Sequence, residues 1–116
     1  MSPSDQPSVL VKGTLDMLIL RILALEPMHA YGIGVRIEQI SQRAFQVNAG
    51  SLFPAFRRLE REGLTKGEWR ITENNRRAKQ YALTAAGRAR LKAQTRDWEA
   101  QTAAISLILR AKVSDL

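Results

Sequence analysis

The sequence has no cysteine, so disulfide bridges, thiolate metal sites and cysteine nucleophiles are excluded. It has one histidine, His29. One imidazole without a thiolate does not make a usual zinc site, and no second histidine is present to serve a catalytic triad. No carboxylate pair, nucleophile with its base, metal cluster or glycine-rich phosphate loop stands out. The chain therefore reads as something other than an enzyme, with no cofactor and no metal to expect. No apolar run reaches the roughly 18 residues that a membrane span needs. Residues 1–8 have neither a basic segment nor an apolar core, so no signal peptide is expected and the expected location is the cytoplasm.

Acids are scarce relative to bases: 11 Asp and Glu face 18 Lys and Arg, a net charge of +7. The excess is uneven. Residues 1–49 hold four bases and four acids, residues 50–84 hold eight and four, and residues 85–110 hold five and two. A basic middle points to a polyanion such as DNA, RNA or an anionic membrane. With 116 residues, 45% of them hydrophobic, the chain can build one core and is too short for two ordinary domains.

Residues 1–12, with Pro3 and Pro7, read as a flexible arm. Thr14 is the expected cap of a first helix to Leu25 that is apolar nearly all round, so it needs cover on more than one side and a second subunit can supply some of it. A second helix is predicted over His29–Ser41 with Ala30, Ile33, Ile37 and Ile40 on one stripe. A third opens at Asn48, its expected cap, has Pro54 in or near its first turn, and ends at Gly63. The period then changes to that of two strands, Leu64–Thr72 and Arg77–Leu83, joined by the polar tip Glu73-Asn74-Asn75-Arg76. Thr84 caps a last helix to about Arg110. Its residues Leu91, Thr95, Trp98, Thr102, Ile105 and Leu109 step by fours and threes, a seam suited to a partner helix or, alternatively, to folding back on the chain's own core.

Three helices followed by a strand pair is the order of a winged helix-turn-helix, whose third helix enters the DNA major groove. The fold expected is mostly α, with a small β-hairpin wing and a long C-terminal dimerisation helix. Residues 13–84 would form the DNA-binding domain, residues 85–110 the dimerisation helix and residues 111–116 a tail. On the third helix Leu52, Phe56 and Leu59 share a narrow arc. Gly50, Pro54, Arg57 and Arg61 lie opposite, with Ser51 and Arg58 on one shoulder and Phe53 on the other. Arg57 or Arg58 can read a guanine edge or neutralise a phosphate, and Arg58 can also pair with Glu62 one turn on. At the wing, Asn75, Arg76, Arg77 and Lys79 suit phosphate or the minor groove. Trp98 is either dimer packing or part of an aromatic-lined ligand pocket. His29 and Tyr31 read as packing or capping residues. A winged-helix module that binds protein rather than specific DNA is the competing reading. RNA is a third, weakened by the lack of an aromatic stacking sheet.

Four stretches then resemble PadR-family transcriptional regulators, from about Val11 to Leu109. They are Gly13-Thr14-Leu15; His29-Ala30-Tyr31-Gly32; Gly50-Ser51-Leu52-Phe53-Pro54-Ala55-Phe56-Arg57-Arg58-Leu59-Glu60; and Arg76 to Gly87, with its Tyr81-Ala82-Leu83-Thr84-Ala85-Ala86-Gly87 exit. The resemblance implies a homodimeric repressor of a pseudo-palindromic operator on double-stranded DNA, released by a small aromatic or drug-like effector. It implies dimerisation through the last helix with help from the first, including Leu18, and an inter-subunit pocket at Trp98. Phe53 stands where the family usually has Tyr, Gln80 replaces one of a pair of tyrosines, and the wing tip has Asn74-Asn75-Arg76 where many members have a glycine-rich turn.

Overall fold

The computed structural model describes residues 13–116; the arm expected over residues 1–12 lies outside them. Helix α1 spans Thr14–Leu25. Its cap position is taken by Gly13 at φ 88°, not by Thr14, which is the first helical residue. A left-handed entry carries no steric penalty for glycine. Ile19, Leu20, Ile22 and Leu23 are buried, and Leu18 is half-buried against the core.

A two-residue strand, β1 (Met28–His29), follows where the sequence predicts the start of a helix. Glu26 is extended, as a residue before proline prefers, and two residues are too few to show an alternating pattern. Helix α2 therefore runs over Ala30–Ile40. Ala30, Ile33 and Ile37 are buried as the spacing predicts, but Ile40 is 62% exposed. The helix ends there, and the chain leaves the core through Gln42 and Arg43 in left-handed backbone.

Helix α3 spans Ala49–Arg61, and the Asn48 side chain accepts the Ser51 N–H at 3.0 Å, as expected of its cap. Pro54 lies in the second turn, further in than predicted, and so withholds a hydrogen bond from the Gly50 carbonyl. Gly63 closes the helix at φ 75°, and Leu64 N–H reaches back to the Leu59 carbonyl at 2.9 Å. Strands β2 (Thr65–Ile71) and β3 (Arg77–Leu83) pair antiparallel from Thr65↔Leu83 to Ile71↔Arg77, and β1 joins the far side of β3. At the tip Asn75 takes φ 59°, a conformation asparagine tolerates better than most residues.

Helix α4 spans Ala85–Leu109. Thr84 caps it, accepting Gly87 N–H at 3.0 Å and donating its hydroxyl to the Gly63 carbonyl at 2.7 Å. A short 3-10 turn at Val113–Asp115 ends the chain. The core is centred on Phe56, Ile19, Leu20, Leu23, Ile33 and Leu59, with the Phe56 ring 4.4 Å from that of Tyr81. Of α4, only Gly87 and Leu91 are buried. The wing and the distal half of α4 project from the core, and the described chain measures 64 × 39 × 21 Å.

Candidate nucleic-acid interface

The third helix divides as its periodicity predicts. Leu52, Ala55, Phe56 and Leu59 are buried, whereas Gly50, Ser51, Phe53, Pro54, Arg57, Arg58 and Arg61 are exposed. The side chains of Arg57 and Arg61 have no hydrogen-bond or ion-pair partner among the described residues. Their guanidinium groups sit on the outward face of a helix whose capped N-terminus also attracts anions.

Arg58 is placed differently. Its guanidinium grips the Asp16 carboxylate of α1 with two prongs, Nε donating to Oδ2 at 3.1 Å and Nη2 donating to Oδ1. The hydrogen bond to Asp16 raises its pKa above the ordinary arginine value. The alternative pair with Glu62 is not made; Glu62 instead lies 3.9 Å from Arg90 of α4. Arg58 therefore fastens α3 to α1. Asp16→Asn is expected to lower stability in urea unfolding by on the order of 1 kcal/mol, the pair being partly screened by solvent, without weakening DNA binding. A fall in DNA affinity matching that of an arginine deletion would show that the clamp, not the outward face, sets binding.

At the wing the same division appears. Asn75 and Arg76 are exposed at the tip, and the Arg77 guanidinium lies 4.9 Å above the Trp69 ring. Lys79 is engaged: Nζ donates to Glu60 Oε2 of α3 at 2.9 Å and lies 5.3 Å from the centre of the Tyr81 ring. The hydrogen bond to Glu60 holds its amine above the usual lysine range. Its stem crosses Gly67, where an added Cβ would fall 2.3 Å from Lys79 Cε. Lys79 is thus a strut between wing and helix. Trp69 and Ile71, whose alternation suggests a half-buried strand, are 60% and 73% exposed because the hairpin outruns the core.

Tyr31, read from sequence as a packing or capping residue, is 82% exposed and so does not pack. With Phe53 it lines a groove of about 320 Å³ between α2 and α3. Its place at the start of a helix was the only sequence signal for this. His29 has a structural role, its Nδ1 lying 3.2 Å from the Lys79 carbonyl oxygen and so joining β1 to β3.

The seam of α4 splits into two parts. Leu91 belongs to the chain's own core and Thr95 is half-buried. Thr102 donates its hydroxyl to the Trp98 carbonyl at 2.9 Å, and Ile105 and Leu109 are 53% and 79% exposed. Between α1 and α4, Trp98 lines a cleft of about 220 Å³ with Met17, Gln94 and Asp97. The Gln94 Oε1 atom is buried with no partner among the described residues. Among those residues no group of acidic or histidine side chains could hold a metal ion, and no helix is long and apolar enough to cross a membrane.

Comparison with known proteins agrees with this architecture. The family described as "Transcriptional regulator PadR-like family" matches residues 19–93. The chain is similar to the structure of a transcriptional regulator from Clostridium thermocellum, with a TM-score of 0.75 and 26% identity over 82% of this chain and 92% of that one. It is also similar to the crystal structure of a PadR-family transcriptional regulator from Eggerthella lenta, with a TM-score of 0.74 and 28% identity over 87% and 86%. A transcriptional regulator of Mycobacterium tuberculosis is 37% identical over 54 residues, which span 47% of this chain and half the length of that protein.

Proposed function

The chain belongs to the PadR-like family of transcriptional regulators, which are DNA-binding proteins and not enzymes, and from that premise we propose that it acts as a homodimeric repressor in the cytoplasm. Residues 13–84 bind DNA and residues 85–110 pair the subunits. The two α3 helices enter successive major grooves of a pseudo-palindromic operator, roughly 34 Å apart along the duplex. The observation that carries this reading is the outward arc of α3, where Arg57 and Arg61 stand unpaired above a fully buried opposite face.

In this reading Gly50, Ser51 and Pro54 let the helix start approach the backbone, with Phe53 beside them. Asn75, Arg76 and Arg77 hold the adjacent groove. Arg58 and Lys79 hold the surface in shape through Asp16 and Glu60. The Trp98 cleft is the effector site: a flat aromatic ring against the indole, its donor group on Gln94 Oε1, would bias the angle between α1 and α4.

Fluorescence anisotropy on the duplex upstream of the protein's own gene, a scrambled duplex and matched RNA, across a salt series, tests the proposal. Tight binding to the first alone, with a log–log salt slope of several phosphates, supports it. Equal weak binding to all three replaces it with a protein-interaction module. Arg57→Ala is expected to weaken upstream DNA by roughly tenfold or more, about 1–3 kcal/mol, and scrambled DNA less. An equal loss on both would make Arg57 a phosphate contact.

A further inference from the structure

One face of the wing lacks cover. In the antiparallel register Thr65 stands opposite Leu83, Gly67 opposite Tyr81, Trp69 opposite Lys79 and Ile71 opposite Arg77. Directly opposed residues share a face of a strand pair, so these eight form one surface. Its inner end is core, with Thr65, Tyr81 and Leu83 all buried. Its middle is tied to α3 through Lys79 and Glu60 at 2.9 Å. Its outer end is Trp69 and Ile71, mostly in water, with Arg77 above the indole. Two large apolar side chains on a hairpin beyond the core gain nothing by facing solvent. They stand on the wing at and just beyond the level of the Lys79–Glu60 tie to the C-terminal part of α3.

We propose that Trp69 and Ile71 form an apolar seat for the sugar edge of the DNA backbone where the duplex passes from α3 to the wing. The occupant follows from what surrounds the seat. The side chains of Arg57 and Arg61 on α3, and of Arg76 at the wing tip, have no partners among the described residues and suit the phosphates on either side of a deoxyribose. Of the acids on this side, Glu60 is neutralised by Lys79, Glu68 pairs with Arg70 on the opposite face at 3.4 Å, and Glu73 stands in the turn two residues beyond Ile71, near Arg76 and Arg77 in the sequence. A sugar presents C–H groups between two phosphates, which is the complement of an apolar pair flanked by cations. The proposal rests on the DNA-binding reading above and adds to it a contact that carries no charge and reads no base.

That chemistry gives the contact a distinct signature. Trp69→Ala is expected to weaken binding to upstream and scrambled duplexes by the same factor, about tenfold, corresponding to partial burial of a large side chain. The log–log salt slope stays unchanged because no phosphate is neutralised. Arg76→Gln, by contrast, lowers the slope by about one. Trp69 and Trp98 are the two tryptophans, so with Trp98 left in place the difference between wild-type and Trp69→Phe emission reports Trp69. Its emission is expected to change and its quenching by acrylamide to fall when either duplex is added. Trp69→Phe, which should keep the fold of an exposed site, controls for unfolding. If Trp69→Ala binds both duplexes as wild type does and Trp69 stays open to acrylamide, while Arg57→Ala still weakens binding, the seat is wrong and the DNA interface stands. If neither variant changes binding and RNA competes equally, the interface reading falls and the seat falls with it.

Discussion

Replacing Gly87 by alanine is expected to lower the stability of the protein by about 3 kcal/mol, at the upper end of what overpacking usually costs. The position is helical, so intrinsic preference alone favours alanine by up to about 1 kcal/mol. The surroundings reverse that sign. A Cβ on Gly87 would lie 2.1 Å from the Leu64 carbonyl oxygen, 2.6 Å from Leu83 Cδ1 and 3.1 Å from the Leu64 carbonyl carbon. Two of those atoms are backbone at the base of the wing, so no rotamer change relieves the contact. The start of α4 must move away from the hairpin. That movement strains the Thr84 N–H to Leu64 carbonyl bond at 3.2 Å and the Thr84 hydroxyl to Gly63 carbonyl bond at 2.7 Å. It also loosens the cap that Thr84 provides to Gly87 N–H. The Thr84-Ala85-Ala86-Gly87 exit is therefore a packing motif: the threonine ties the helix start to the turn after α3, and the glycine lets the helix sit against Leu64 and the end of β3. Thermal unfolding followed by far-ultraviolet circular dichroism, at one fixed protein concentration, reads the effect. A midpoint lowered by about 10 °C is expected. Thr84→Ala, which removes both the cap and the hydroxyl bond to the Gly63 carbonyl but adds no atom, should cost about 1–2 kcal/mol. A Gly87→Ala protein that melts with wild type would mean that α4 can shift freely, and the link between wing and helix described above would be lost.

What the sequence reveals here depends on how far apart the interacting residues lie. The amphipathic α3 is legible because its period is written within thirteen residues, and its buried and exposed faces match the pattern. Asn48, Gly63 and Thr84 are legible for the same reason, since a cap is a local device. The strand β1 is not legible, because two residues show no alternation and the pairing comes from Tyr81 and Gln80 far along the chain. Arg58 and Lys79 look like free cations in the sequence. Their partners, Asp16 and Glu60, are 42 and 19 residues away, and only the fold brings them together. The same distance effect explains Trp69 and Ile71. Alternation predicts one buried face for a strand, but it does not say where along the strand the core ends. Of the cations singled out for DNA, the structure leaves the side chains of Arg57, Arg61 and Arg76 unpartnered among the described residues. Arg77 is oriented by an indole, and the other two brace the surface from behind.

On the proposal that α4 pairs the subunits, a chain carrying Ile105→Asp is expected to be monomeric at concentrations where wild type would dimerise, with affinity for the proposed operator reduced by orders of magnitude. The argument begins with what α4 leaves in water. Beyond Trp98 the helix adds little to its own core, and Ile105, Leu107, Ile108 and Leu109 are 53% to 79% exposed. Each such side chain gains about 1.5–3 kcal/mol when fully withdrawn from water. Thr102 turns its hydroxyl back onto the Trp98 carbonyl, so the polar atom at the middle of the seam is already satisfied and its methyl group is free to pack. Ile105 lies one turn further along the same seam. A two-fold interface carries every substitution twice, so a carboxylate costing roughly 2 kcal/mol per subunit costs about 4 in the dimer, near a thousandfold in self-association. DNA affinity follows because a monomer holds one half-site, without the second set of phosphate contacts. Ile105 is far from the core residues around Phe56, so the folded monomer should keep its melting behaviour when compared with wild type diluted below its own dimer constant. Sedimentation equilibrium reads the mass and anisotropy reads the affinity, and the two must change together. A variant that remains dimeric would move the interface off this seam. A wild-type chain that is itself monomeric at micromolar concentration would overturn the two-fold operator model, leaving one recognition helix to carry all of the specificity.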